Sequence, residues 1–189
     1  MMKPKVKILL MAIAYFATFM AGSATGLIHP ACYAYVGALL PLLFALEYLA
    51  TASVMRSFGA ATVLNGFLLV LALIAGEADV ALLIGLVVLT AIAEFVRFRC
   101  GYDTLRGIRL SFIPFALSFF AYTAHWWTDT EGSLQAAVEE MRPGYDALMK
   151  PVIDNIPVLI VVILITIPIA ILGMKLAERA LKKQIVGLK

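Results

Sequence analysis

The sequence predicts an all-α integral membrane protein, a bundle of six transmembrane helices with the N and C termini in the cytoplasm. Of its 189 residues, 63% are hydrophobic and only 14% are charged, whereas soluble domains carry about 25% charged residues. A helix needs about 20 apolar residues to cross the hydrocarbon core of a bilayer. Charged residues and histidine are absent from four long stretches, residues 8–28, 57–76, 110–124 and 155–174.

Hydropathy and helix breakers define the spans in order, and together they make residues 1–189 a single membrane domain. Three lysines precede the first apolar run, as in a secretion signal, but the run of about 20 residues is longer than a signal core. We therefore expect a retained first helix, with cleavage after residues 21–24 as the alternative. Short links between neighbouring spans predict antiparallel packing. The spans lie near residues 7–27, 31–54, 58–76, 79–97, 109–127 and 155–175.

The segment between the fifth and sixth spans, residues 128–154, is long and acidic. Within residues 132–148, apolar residues recur every three or four positions, which predicts one amphipathic helix on the membrane surface. The tail, residues 176–189, has the composition of a basic helical extension. The repeat consists of Leu134, Val138, Met141, Tyr145 and Leu148.

Basic residues orient the chain, because cytoplasmic loops are enriched in Lys and Arg. A cytoplasmic N-terminus and six spans leave only Arg142 and Lys150 outside. Five or seven spans would separate Arg97 and Arg99 from the C-terminal lysines, so an even number is favoured. The predicted cytoplasmic set is Lys3, Lys5, Lys7, Arg56, Arg97, Arg99, Arg106, Arg109, Lys175, Arg179, Lys182, Lys183 and Lys189.

Catalytic signatures are absent from the sequence, which contains no HExxH, CxxC, GxSxG or Walker motif. We therefore predict no catalytic residue, no metal ion and no cofactor, and active transport would require a separate ATPase. The net charge of +3 reflects the ends of the helices and does not indicate a nucleic-acid partner.

Glu47 and Asn65 are polar residues that lie inside predicted spans, where such side chains are costly. Glu47 in the second span could bind a cation or a substrate amine, or it could be a protonated or ion-paired structural carboxyl group. Asn65 in the third span fits an interhelical hydrogen bond better than a ligand contact.

A richer set of polar and aromatic residues is predicted at the outer membrane surface. An interfacial aromatic belt would account for Trp126 and Trp127. It accounts less well for His, Asp and Asn side chains at the same depth, which together with aromatic walls are typical of a small-molecule pocket. The predicted substrate-binding residues are His29, Tyr33, Tyr122, His125, Trp126, Asp129, Tyr145, Asp154 and Asn155.

Small residues recur along the first span and would let another helix approach closely. Two interpretations remain open, an internal packing face or a docking surface for another subunit. The candidate docking residues are Ala12, Ala14, Ala17 and Ala21.

Taken together, these features resemble the substrate-binding S components of energy-coupling factor (ECF) transporters, and most closely the Trep_Strep or MptD-like branch. The resemblance covers nearly the whole chain through the order and spacing of short motifs and the aromatic end of the fifth span. The motifs are Leu39-Leu-Pro41, Phe58-Gly59, Ala93-Glu-Phe-Val-Arg97, Gly101-Tyr102, Gly144-Tyr145, Gly173-xx-Leu176 and Leu181-Lys-Lys183.

The resemblance implies a binder of a vitamin-like or other small nutrient in a prokaryotic cell (plasma) membrane. It implies partners as well, a transmembrane T component and two cytoplasmic ATPase subunits, with the first helix contacting the T component. Substrate would bind near the outer face and be released inside when the protein topples in the bilayer. An autonomous small permease or exporter is the main alternative; a membrane enzyme or a purely structural assembly protein fits the sequence less well.

Overall fold

The computed structural model describes residues 3–182, 185 and 188, and within them the chain is all-helical, with no strand. Lys183, Lys189 and most of the predicted tail beyond residue 182 lie outside the described residues. The helices are α1 (Pro4–Ala24), α2 (Pro30–Tyr35), α3 (Pro41–Val54), α4 (Ala60–Ala75), α5 (Val80–Cys100), α6 (Leu105–Phe115), α7 (Ser118–Thr123), α8 (His125–Thr128), α9 (Thr130–Glu140), α10 (Tyr145–Ile153) and α11 (Ile156–Ala180).

Three helical segments are long and apolar enough to cross a membrane, namely Pro4–Leu27, Val80–Cys100 and Ile156–Ala180. A bent pair, α2 with its following turn and α3, makes up to four when it is counted as one span. Large apolar side chains on α5 and α11 are exposed at the surface of the bundle, as expected of helices in contact with lipid. The all-α integral membrane class is thus confirmed, whereas the number six and the orientation stay predictions.

Two predicted spans are interrupted rather than continuous. Residues 31–54 form α2, a short 3₁₀ turn and then α3, with a bend of 45° ahead of Pro41. Residues 109–127 are divided among α6, α7 and α8. Pro114 near the end of α6 has no N–H for the helical ladder, and the Ser118 hydroxyl donates to the Phe115 carbonyl at 2.7 Å where the chain restarts.

The single amphipathic surface helix predicted over residues 132–148 is wrong. The structure has two helices, α9 and α10, separated at residues 141–144. Pro143 disfavours a helical conformation in the residue before it, and Gly144 has φ +82°, a left-handed conformation that glycine adopts readily. Because the apolar repeat continues through residues 141–144, the sequence pattern did not indicate this break.

The main core is aromatic and lies between α1, α3, α6 and α7. Tyr15 contacts Phe44 with ring centroids 4.8 Å apart, and Tyr48 contacts Phe115 at 4.6 Å. All four side chains are fully buried. Because aromatic residues bury large areas and pack in tilted pairs, these contacts fix how α1, α3 and α6 meet.

Asn65 on α4 connects four helices through hydrogen bonds. Its Oδ1 accepts from the Tyr15 hydroxyl at 2.8 Å, and its Nδ2 donates to Thr90 at 2.9 Å and to Ser118 at 3.1 Å. The side chain is buried and all its amide atoms have partners of good geometry. Asn65 therefore has the interhelical role that its sequence position favoured.

The crossing of α11 over α3 depends on Gly173. A Cβ atom there would lie 2.5 Å from the Pro41 carbonyl oxygen and 3.1 Å from Leu42 Cα, both backbone atoms that cannot turn aside. We expect Gly173→Ala to force the helices apart and to cost about 1–3 kcal/mol, seen as a lower thermal unfolding midpoint in detergent. Gly66→Ala is the matched control, since a Cβ at Gly66 meets no atom within 4 Å; equal midpoints for the two variants would contradict this account.

Candidate functional site

A cavity of about 450 Å³ lies between the C-terminal end of α1, helices α2, α7 and α8, and the surface helices α9 and α10. We call it the outer cavity, because the predicted topology places this end of the bundle outside the cell. Five of the nine predicted substrate-binding residues line it. They are Tyr33, Tyr122, His125, Trp126 and Tyr145.

Aromatic rings form one wall of the outer cavity. Tyr33 and Trp126 are buried, and their ring centroids lie 4.8 Å apart with a tilt of 35°. Tyr122 and His125 approach Tyr33 edge-on, at 6.0 Å and 6.3 Å. Rings in these arrangements hold one another in place, so this wall is largely preformed.

His125 is oriented by two acceptors. Its Nδ1 lies 2.8 Å from the Tyr122 carbonyl oxygen and 3.5 Å from Asp79 Oδ2. A carbonyl oxygen accepts hydrogen bonds only, which assigns the proton to Nδ1 and leaves Nε2 of the neutral ring as an acceptor. Asp79 is itself held in place, because its Oδ1 accepts from the Leu82 N–H at 2.6 Å at the start of α5.

The surface helices are attached to the bundle by a small second core and by polar contacts. Tyr33, Trp126, Tyr145 and Met149 belong to this apolar cluster, which is distinct from the main core. The Tyr145 hydroxyl donates to the Gly26 carbonyl at 2.9 Å, and burial raises the pKa of this hydroxyl above its usual value. Tyr145 therefore stays protonated and keeps α10 joined to the turn after α1.

The other four predicted substrate-binding residues do not line the outer cavity. Three of them cap helices: His29 Nδ1 accepts from Ala31 N–H, Asp129 from Gly132 N–H and Asn155 from Val158 N–H. Asp154 is exposed, with its carboxylate 3.4 Å from Lys150 Nζ. Asp and Asn are preferred just before a helix, so their presence here is explained by helix starts.

Several cavity residues were not anticipated from the sequence. In the sequence, Met141 was noted only as a member of the amphipathic repeat, and Glu140 only as part of the acidic segment 128–154. The others come from faces of α1, α9 and α10 that are defined by tertiary packing alone. The unanticipated lining includes Met20, Ser23, Ser133, Glu140, Met141 and Met149.

The candidate docking residues of α1 separate into two environments. Ala12 is buried in the main core and Ala14 is half-buried, whereas Ala17 and Ala21 are exposed. Only the exposed pair, with the edge of Ala14, is on the surface and accessible to another helix.

Glu47 does not line the outer cavity and is hydrogen-bonded to α1. Its Oε1 accepts from the Thr18 hydroxyl at 2.8 Å, and its buried Oε2 has no partner among the residues the structure describes. Within the same residues, no basic side chain forms an ion pair with it. The ion-paired interpretation of Glu47 therefore does not hold in this structure.

A second polar cluster occupies the opposite end of the bundle, where the α3–α4 turn meets α5. Glu94 Oε1 accepts from the N–H groups of Ala61 at 2.8 Å and Thr62 at 3.3 Å, at the start of α4. Arg97 Nη2 donates to the carbonyls of Met55 at 2.9 Å and Tyr102 at 3.1 Å. Charges of these signs complement the dipoles of the two helix ends.

This polar cluster explains why three of the sequence motifs occur together. Arg97 lies over the Tyr102 ring at 5.3 Å, and Gly59 begins α4 with φ +122°, a backbone conformation that suits glycine. Phe58, Glu94 and Tyr102 line one cavity between α4 and α5. Segments 58–59, 93–97 and 101–102 are therefore one three-dimensional unit.

Comparison with known proteins identifies one family. Residues 2–186 match the sequence model of the family described as "Hypothetical bacterial integral membrane protein (Trep_Strep)". No curated protein and no solved structure matches the chain.

Proposed function

This chain is a member of the Trep_Strep family of bacterial integral membrane proteins, and we propose that it is the substrate-binding S component of an ECF-type importer. It captures a vitamin-like or other small nutrient at the outer face of the plasma membrane. The observation that carries the proposal is the outer cavity of about 450 Å³, a size typical of small-molecule sites, with its buried Tyr33–Trp126 wall and its cover of surface helices.

The lining of the outer cavity favours a flat, largely apolar ligand with a polar edge. Tyr33 and Trp126 provide ring faces for stacking, and methionine side chains adapt to irregular shapes. In the neutral ring His125 Nε2 is an acceptor, and among the described residues that line the cavity Glu140 is the one acid. These groups favour a ligand edge that donates hydrogen bonds.

Helices α9 and α10 are suited to act as a movable cover. They are linked to the turn after α1 by Tyr145 at Gly26 and by Arg142 Nη2 at the Ile28 carbonyl, 3.2 Å away. Lifting the pair would break these two bonds and the bond from Trp127 Nε1 to the Ile153 carbonyl at 3.1 Å, and would separate α10 from the small apolar cluster. Lids of this type isolate a bound ligand from water.

The partners in this proposal are a T component and two cytoplasmic ATPase subunits. The docking face is the exposed small-residue side of α1 at Ala17 and Ala21, with the edge of Ala14. Small side chains let a partner helix approach closely in the membrane, where van der Waals packing is a main source of affinity.

Tryptophan fluorescence tests the capture step directly, because the chain has only two tryptophans. We expect a saturable change in emission when the purified protein is titrated with a vitamin panel or with cell extract. Trp126→Phe should remove the change, while Trp127→Phe should keep it, since Trp127 does not line the outer cavity. A folded protein with no saturable response to either source would argue against the cavity as a substrate site.

Copurification tests the partner assignment separately. Affinity capture of the protein from its own membranes should recover a T component and two ATPases. Ala17→Leu together with Ala21→Leu should abolish recovery without altering the fluorescence response, because both positions are on the surface. Ligand binding without any copurified ATPase would contradict the ECF assignment.

The alternative is an autonomous permease or exporter, and one observation favours it. Glu47 Oε2 is buried without a partner among the described residues, as in a carboxyl group that exchanges a proton or a cation. Transport of ligand into liposomes that contain this chain alone would support the permease and contradict the S component.

A further inference from the structure

A second cavity, of about 640 Å³, is a slot between α4 and α5 that is separate from the outer cavity. It extends along α5 from Leu86 to Phe98, about 18 Å at a rise of about 1.5 Å per residue. Val87, Phe95 and Phe98 on its rim are exposed. Because α5 is a candidate membrane span, the slot opens sideways toward lipid.

The lining of the slot is mostly apolar but includes one acidic side chain. Glu94 lines the slot and is only 3% exposed, yet its Oε2 has no hydrogen-bond partner among the described residues. Its Oε1 is committed to the N–H groups of Ala61 and Thr62. A buried carboxyl oxygen without a partner is costly, so a hydrogen-bond donor in the slot would be stabilised.

The charges around Glu94 select the kind of donor. The positive end of the α4 dipole and Arg97, one turn further along α5, lie beside the Glu94 carboxyl group. An ammonium group would bring a second positive charge close to Arg97, and an anionic head group would be repelled by Glu94. A neutral hydroxyl donates one hydrogen bond and adds no charge.

We propose that the slot between α4 and α5 binds a membrane lipid with an uncharged hydroxyl head group, whose hydrocarbon chain lies along the slot and whose hydroxyl donates to Glu94. The chain is in contact with Leu69, Leu86 and Val87, and the head group lies among Phe58, Phe98 and Tyr102. This site is independent of the outer cavity, and the proposal does not rest on the proposed transport function.

Two simple lipids test the proposal on the full chain in detergent, oleyl alcohol and its methyl ether, which differ mainly in the donated hydrogen. Native mass spectrometry measures the bound fraction of each. We expect the alcohol to bind about tenfold more tightly, since giving a partner to a buried acceptor that otherwise lacks one has an effect of about that size. Equal binding of the two lipids would overturn the proposal.

Two variants then locate the site. Glu94→Gln keeps an acceptor oxygen for Ala61 and Thr62 but replaces Oε2 with a donor, so the preference for the alcohol should fall to near one. Gly66→Leu places a side chain in the slot at a position where a Cβ meets no atom within 4 Å. It should weaken both lipids about tenfold or more.

Leu73→Phe is the control for added bulk, because Leu73 is exposed on α4 and does not line the slot. It should leave the binding of both lipids unchanged. Unchanged binding in folded Gly66→Leu, or a full preference for the alcohol in folded Glu94→Gln, would place the lipid elsewhere and overturn the assignment. Gly66→Leu tests whether the lipid lies in the slot even if Glu94→Gln fails to fold.

Discussion

Replacing Arg97 with leucine is expected to lower the free energy of unfolding by about 3–5 kcal/mol. Arg97 is fully buried, and its Nη2 is the donor for carbonyls at the end of α3 and just after α5. Leucine would leave those carbonyls without this donor and would leave the buried Glu94 without a nearby positive charge. Thermal unfolding in detergent, followed by circular dichroism, should show a midpoint lower by on the order of 10 °C.

Arg99→Leu is the matched control, since Arg99 is exposed in the same last turn of α5. It should change the unfolding free energy by less than about 0.5 kcal/mol. Glu94→Gln combined with Arg97→Leu should be less destabilised than the sum of the single variants, because no uncompensated charge remains. If Arg97→Leu is as stable as Arg99→Leu, the polar cluster does not fix the α3–α4 turn.

The largest functional effect is expected from filling the outer cavity. Ala136 on α9 lines the cavity and is half-buried, so Ala136→Phe places a ring where the ligand would lie. We expect the retained ligand to decrease about a hundredfold, because the added ring occupies space inside the cavity that the ligand would otherwise fill. Native mass spectrometry of protein from its own cells measures the fraction that carries ligand.

The neighbouring residue provides the control. Gln135 is exposed on α9 and does not line the outer cavity, so Gln135→Phe should retain ligand at the wild-type level. Both variants should have the same helical content and similar unfolding midpoints. Retention of ligand by folded Ala136→Phe would show that the substrate site lies elsewhere.

The sequence alone predicted the all-α membrane class, because exclusion of charge from long segments is a local property of composition. It also predicted the bonding role of Asn65, since an amide inside a membrane span needs partners wherever they come from. Helix interruptions were harder to predict. Hydropathy averages across Pro114 and across Pro143-Gly144, so continuous helices were expected where the chain breaks.

The residues of the outer cavity show the same limit. The clustering of aromatic residues near Trp126 in the sequence predicts their place in the cavity, whereas the prediction for His29, Asp129 and Asn155 rests on polarity and depth alone. The structure uses their side chains to cap helices. The same residue types serve as helix caps and as ligand-binding groups. Only the direction in which the side chain points in the folded protein distinguishes the two roles.

What the sequence determined by itself was that this chain belongs in a bilayer and which ends of its helices are polar. Tertiary structure alone decided that Met20 and Ser23 of α1 and Glu140 of α9, more than 100 residues further along the chain, line one cavity. It alone brought Glu94 and Arg97 to the ends of two other helices. The physical reason is that hydropathy indicates whether a segment lies in lipid or in water, whereas a binding site depends on which faces of distant helices pack together.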